Sequence, residues 1–192
     1  MVRSSLLAVS LVSAVAANLA HAEVATYAVD PSHTFATFEI GHMGATTNRG
    51  RFDKKEGSVQ LDQAAKTGKV ELTIDMTSIS TGTPPFDKHL QSADIFDAAK
   101  YPTAKFVGDK FKFTGEKLSE VSGNLTLAGK TLPVTFKANQ FACYENQMVK
   151  RQVCGGDFET TIDRTDFGIN YGVQYGFPKN VRIVAQIEAI KQ

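Results

Sequence analysis

Strict alternation of apolar and polar positions runs through most of this chain. Val70, Leu72, Ile74 and Met76 alternate with Glu71, Thr73 and Asp75. Leu125 and Leu127 alternate with Asn124, Thr126 and Ala128, and Leu132, Val134, Phe136 and Ala138 with Pro133, Thr135, Lys137 and Asn139. Near the C-terminus, Val181, Ile183, Ala185, Ile187 and Ala189 alternate with Arg182, Gln186, Glu188 and Ile190. A period of two sends successive side chains to opposite faces, so each run predicts a strand with one apolar and one mostly wetted face. The Phe and β-branched residues in these runs suit a pleated surface.

The same parity assigns an interior. Phe38, Ile40 and His42 share a face opposite Glu39. The charge of Glu39 belongs in water, so Phe38 and Ile40 are expected to point inward. Leu72, Ile74, Phe106, Leu125, Leu127 and Val134 are expected inward on the same logic, with Phe136, Ile162, Ile183 and Ile187. If the interior is hollow, these twelve residues are the candidates for a ligand-binding wall.

Glycine-centred turn signals separate the runs. Ala128-Gly129-Lys130 reads as a tight hairpin, and Lys66-Thr67-Gly68, Val107-Gly108-Asp109 and Thr114-Gly115-Glu116 read similarly. Pro133 lacks a ladder donor, which predicts an edge, a bulge or a strand start. Pro84 to Lys100 breaks the alternation: Phe86 and Leu90 lie at i, i+4, followed by Ile95-Phe96 and Ala98-Ala99. This predicts one or two short helices closed by Tyr101-Pro102. Residues 23–192 therefore read as one all-β domain with a short helical insertion. Strands joined by short turns close into a barrel or stack as a sandwich, and alternation alone selects neither.

The first residues stand apart from this pattern. Arg3 precedes an apolar stretch from Leu6 to Ala17, and Ala20-His21-Ala22 forms a small-x-small site before Glu23. That is the layout of a secretory signal peptide over residues 1–22, cleaved after Ala22. The stretch is shorter than the ~20 apolar residues a spanning helix needs, and no integral membrane segment is expected elsewhere. Loss of Arg3 lowers the Lys+Arg count from 21 to 20, equal to the 20 Asp+Glu. A balanced chain without a basic block gives no footprint for nucleic acid. Export also bears on Cys143 and Cys154, the only cysteines. In an oxidising compartment such a pair usually bonds, and a hairpin through Glu145, Asn146 and Gln147 brings the two opposite each other. Two free thiols are the alternative.

Catalytic chemistry finds little support. His33, His42 and His89 fit no metal-ligand spacing, and read better as hydrogen-bonding groups at a rim or in turns. Asp163, Arg164 and Asp166 form a carboxylate–guanidinium cluster, which is more often a charge-satisfied turn than acid–base machinery. No G-x-S-x-G elbow is present, and Gly155-Gly156 lacks the spacing and lysine of a phosphate loop. Thirteen Phe and no Trp suit an apolar cavity and a filled core equally.

Several stretches, taken in order, carry a resemblance. Tyr27-Ala28-Val29-Asp30-Pro31-Ser32-His33-Thr34 is followed by Phe38-Glu39-Ile40-Gly41-His42-Met43-Gly44 and Arg49-Gly50-Arg51-Phe52. Asp87-Lys88-His89-Leu90-Gln91-Ser92-Ala93-Asp94-Ile95-Phe96 and Lys100-Tyr101-Pro102-Thr103-Ala104-Lys105-Phe106 come next. Gly123 to Val134 and Arg164-Thr165-Asp166-Phe167-Gly168 complete the set. Each is weak alone; in this order they resemble the YceI family over essentially all of residues 23–192. The resemblance implies an eight-stranded antiparallel, lipocalin-like barrel. It implies a periplasmic protein whose long apolar pocket binds polyisoprenoid chains or the tails of isoprenoid quinones, with homodimers among its members. It brings no catalytic residues and no catalytic cofactor. The Cys143/Cys154 pair, with Phe158-Glu159-Thr160-Thr161 after it, resembles a branch that includes quinone binders, which points to a ubiquinone-like ligand. Polar groups at the mouth would select the head group, with His33, His42, Arg49 and His89 as unranked candidates. The rival readings are a periplasmic stress-response scaffold with a solid core and a lipid-modifying enzyme.

Overall fold

The computed structural model describes residues 24–192. The expected signal peptide, residues 1–22, lies outside them. The strands are β1 (Ala25–Val29), β2 (Phe35–His42), β3 (Thr46–Phe52), β4 (Lys55–Asp62), β5 (Thr67–Asp75) and β6 (Ile79–Ser80). Helix α1 (Pro84–Gln91) follows, then β7 (Thr103–Thr114), β8 (Lys117–Leu127), β9 (Lys130–Asn146), β10 (Arg151–Asp163) and β11 (Asn180–Lys191). Every pairing is antiparallel. The order β1-β4-β5-β7-β8-β9-β10-β11 closes on itself through β1–β11, giving an eight-stranded barrel.

Strands β2, β3 and β6 do not form a separate sheet. Along β11, Ala189–Lys191 pair with β1 and Arg182–Gln186 with β2, so β1 and β2 are successive halves of one barrel strand. In the same way β3 continues into β4, and β5 into β6. The three interruptions lie side by side. Thr34 fills the first: its hydroxyl donates to Glu188 O at 3.2 Å and accepts from Glu188 N at 3.1 Å. At the second and third, Asp53 N donates to Ser78 O at 3.0 Å and Lys54 N to Ser78 Oγ at 2.9 Å. Side chains thus replace ladder bonds where the backbone bends, and no buried side-chain nitrogen or oxygen is left unpaired among the described residues.

The turns follow from residue chemistry, with two revisions. Ala128 and Gly129, at φ 49° and 77°, make the two-residue β8–β9 hairpin, whose twist requires positive φ at both positions. Gly115 at φ 61° closes β7–β8. The turn expected at Lys66-Thr67-Gly68 ends at Lys66, and Thr67 already begins β5. Val107-Gly108-Asp109 is no turn: β7 runs through it with a register shift between Gly108 and Lys110. Gly108 serves packing instead, since a Cβ there would lie 2.8 Å from both the Phe106 ring and Val121. Pro133 pairs with Asn124 of β8, while pairing with β10 begins only at Lys137, so its other side is a local edge. Pro84–Lys100 forms the single helix α1 followed by turns.

Candidate functional site

The alternating faces enclose the barrel axis. Leu72, Ile74, Phe106, Leu125, Leu127, Val134, Phe136 and Ile162 are buried in one core cluster, with Ile183 and Ile187 half-buried against it. Full burial of a side chain of this size stabilises by about 1.5–3 kcal/mol. The interior is nonetheless not filled at one end. A cavity of about 410 Å³ lies beneath α1, and Phe38, Ile40, Ile74, Leu125, Leu127, Ile162 and Ile183 are on its wall. Its volume falls within the ~300–1,000 Å³ of small-molecule sites. A second, smaller chamber of about 90 Å³ follows along the same strands, lined by Leu72, Phe106, Phe136 and Ile187. The Phe106 and Phe136 rings meet edge to face there, 5.0 Å between centroids. Val134 lines neither chamber; it borders the gap where β9 and β10 separate, with Pro133, Ile162 and Phe167.

Helix α1 covers the larger chamber. Pro84 and Pro85 occupy its first turn, where their missing N–H groups cost nothing. Asp87 ties it to the segment after β6, accepting from Thr81 N at 2.7 Å and Thr81 Oγ1 at 2.6 Å. Phe86, His89 and Leu90 then face the chamber, joined by Ile95 and Phe96 from the turns beyond. Phe52 packs between Phe38 and Phe96, at 6.2 Å from each ring.

The four head-group candidates separate. His42 and His89 lie on the chamber wall, His42 against Phe177 at 5.4 Å and His89 against Tyr171 at 4.8 Å. His33 does not reach it. It stands largely exposed in the β1–β2 interruption, bonded through Nδ1 to Asp30 at 2.8 Å, which raises its pKa and lowers that of Asp30. Arg49 is also outside, because parity puts it opposite Glu39 on the solvent face, where its Nε donates to Glu39 at 2.9 Å. Arg182 joins the same surface group, bonding Glu39 and Glu159. Hydrogen bonds from Arg49 and then Arg182 hold the Glu39 carboxyl below its ordinary range.

Arg164 is a polar wall residue that was not among the head-group candidates. The cluster does contain a turn: Asp163 accepts from Thr165 N at 2.8 Å and Thr165 Oγ1 at 2.6 Å. Arg164 itself is 6% exposed and lies on the chamber wall. The available signal was parity, since residue 164 shares the face of the inward-directed Ile162. Its Nε donates to Pro178 O at 2.9 Å and its Nη1 to Ile169 O at 2.8 Å. Burial pushes its pKa down, against a smaller upward pull from Asp163. Among the described residues no group of three or more His, Cys, Asp or Glu could hold a metal ion.

At the other end, Cys143 of β9 and Cys154 of β10 are direct partners in register, and their sulfurs are bonded. No helix among the described residues is long and apolar enough to cross a membrane.

Comparison with known proteins places this architecture. A family model described as a YceI-like domain matches residues 27–189. A UPF0312 protein of Pseudomonas putida (strain W619) is 37% identical over 151 residues, 77% of this chain and 78% of its own. A UPF0312 protein of Pseudomonas savastanoi pv. phaseolicola is 35% identical over 172 residues, 88% of each chain. Among solved structures, Burkholderia cenocepacia BcnA superposes with a TM-score of 0.70 at 26% identity, over 84% of this chain and 99% of BcnA. A polyisoprenoid binding domain from Saccharophagus degradans superposes with a TM-score of 0.61 at 16% identity, over 88% of this chain and all of that one, and so shares the fold.

Proposed function

The chain belongs to the YceI-like domain family, and on that premise we propose that it binds a long isoprenoid lipid inside its barrel. The observation that carries this reading is the apolar chamber under α1, continued by a second apolar chamber along the axis. A solid scaffold would have that space filled by side chains, as most protein interiors do. Each CH₂ moved from water into such a chamber contributes about 0.8 kcal/mol. An unbranched or prenyl tail therefore binds with little need for directed contacts. The Saccharophagus degradans domain of the same fold is described as polyisoprenoid-binding, in keeping with this ligand class.

The lipid is a polyprenyl chain or a ubiquinone-like tail, held without chemical change. Phe38, Ile40, Ile74, Leu125, Leu127, Ile162 and Ile183 touch its apolar part in the larger chamber, and Leu72, Phe106, Phe136 and Ile187 in the smaller. His42 and His89 stand near its head. The protein acts in the periplasm, exported by residues 1–22 and carrying its ligand across an aqueous space. N-terminal sequencing of the exported protein is expected to begin at Glu23; retention of Met1 on it would remove the export step. Native mass spectrometry after detergent-free purification is expected to show the protein with an intact prenyl lipid. The reading fails if no lipid accompanies the protein and added isoprenoids do not bind the delipidated chain.

A further inference from the structure

Arg164 is a buried cation with no direct ion pair. No ion pair among the described residues includes it. Its nearest acid in sequence, Asp163, is taken by Thr165. The two carbonyls of Pro178 and Ile169 hold Nε and Nη1 and fix the plane of the guanidinium. Nη2 has no protein acceptor among the described residues. Yet no sealed, unpartnered side-chain nitrogen occurs there, so Nη2 keeps access to open space. The residue is almost wholly buried and lies on the chamber wall. A buried charge normally demands a partner, because desolvation costs several kcal/mol. Here the fold fixes a guanidinium in the wall with two neutral acceptors, and the Asp163 carboxylate acts on it from a distance without pairing with it directly.

We propose that Arg164 is the head-group site of the chamber and that the preferred ligand carries an anionic oxygen, a carboxylate or phosphate, on its apolar tail. This inference rests on the lipid-binding reading and narrows it: a neutral quinone or alcohol satisfies Nη2 but leaves the guanidinium without a directly paired anion. A charged hydrogen bond contributes about 1.5–3 kcal/mol, roughly ten- to a hundredfold in affinity. Asn48, Tyr171 and the imidazoles of His42 and His89, also on the wall, are available to the remaining ligand oxygens.

The test compares two probes with the same tail, geranylgeraniol and geranylgeranyl monophosphate, on the delipidated full chain, with oleate as the carboxylate against oleyl alcohol. The phosphate is expected to bind at least about tenfold more tightly than geranylgeraniol, and oleate at least about tenfold more tightly than oleyl alcohol. The preference is expected to survive about 1 M NaCl, since a desolvated pair is screened little. Arg164→Gln is expected to bring the phosphate to the affinity of the alcohol on the same variant, and Arg164→Lys to restore part of the difference. Equal binding of alcohol and anions by the parent overturns the head-group assignment and leaves the lipid reading standing. A preference abolished by salt overturns it too, since exposed lysines would then be the captors. If neither probe binds, both fail. The parent comparison decides the matter even if the Arg164 variants do not fold.

Discussion

Glu71 sits on the outer face of β5 between two ammonium groups, Lys69 Nζ at 2.7 Å and Lys105 Nζ at 2.9 Å. Hydrogen bonds from Lys69, then Lys105, lower its pKa to about 2. A depressed folded value means that the contribution to stability is complete above the ordinary carboxylate range and is lost as pH falls towards 2. Carboxyl NMR is expected to give a midpoint near 2 for Glu71, rising in Lys105→Met; a midpoint at the ordinary carboxylate value would remove the pairing. Inside the barrel, Leu127 is buried on the wall of the larger chamber. Leu127→Phe adds volume there, and the folded variant is expected to lose affinity for long isoprenoids more than for short ones. Equal affinities would take Leu127 off the ligand's path. Parity made both residues legible, since outward acids and inward Leu follow from a period of two. Parity also turns Arg164 inward with Ile162, but beside Asp163 and Asp166 it reads as part of a charge-satisfied turn. The carbonyls that make burial tolerable come from Ile169 and Pro178, in an irregular loop where parity has no meaning.

At the scale of elements, the hairpin β9–β10 illustrates how a local signal and a compartment argument combine. Cys143 and Cys154 face each other four pairs from the turn, and the link closes a short loop. Chain-entropy arguments assign such a link about 3 kcal/mol. Cys143→Ala/Cys154→Ala is expected to lower the unfolding free energy in urea by about that amount. Intact-mass analysis of the unreduced parent is expected to show no alkylatable thiol; two alkylations would contradict the pairing. Helix α1 was legible from its i, i+4 apolar pair and the closing Tyr101-Pro102. The strand interruptions were not. Asp30-Pro31 and Asp53-Lys54 look like ordinary turns, and only their shared neighbours, Glu188 and Ser78, show that each strand resumes in the same direction. Likewise Gly108 resembled a turn residue because an interior glycine chosen for packing and a turn glycine are identical in sequence.

The whole molecule was legible as all-β. Closure came from family resemblance, since alternation is common to sandwiches and barrels, and hollowness was beyond parity because filled and hollow interiors present the same inward side chains. The closed ring and the half-strands beyond the bends differ in one further respect. Every strand of the ring has a neighbour on both sides, whereas β6 has none beyond it and pairs with β3 through only Arg51–Ser80 and Phe52–Ile79. The sheet therefore ends in a seam at the chamber, covered by α1. Segments with fewer mutual supports open at lower free energy than the whole. Amide hydrogen exchange is expected to resolve two cooperative units: β3, β6 and α1 exchanging together in partial openings, and β7 to β11 only with global unfolding. Uniform protection across both would remove the seam's role. With the bends as a boundary of cooperativity, the rate of lipid entry and the stability of the barrel would vary independently, a consequence the exchange experiment tests.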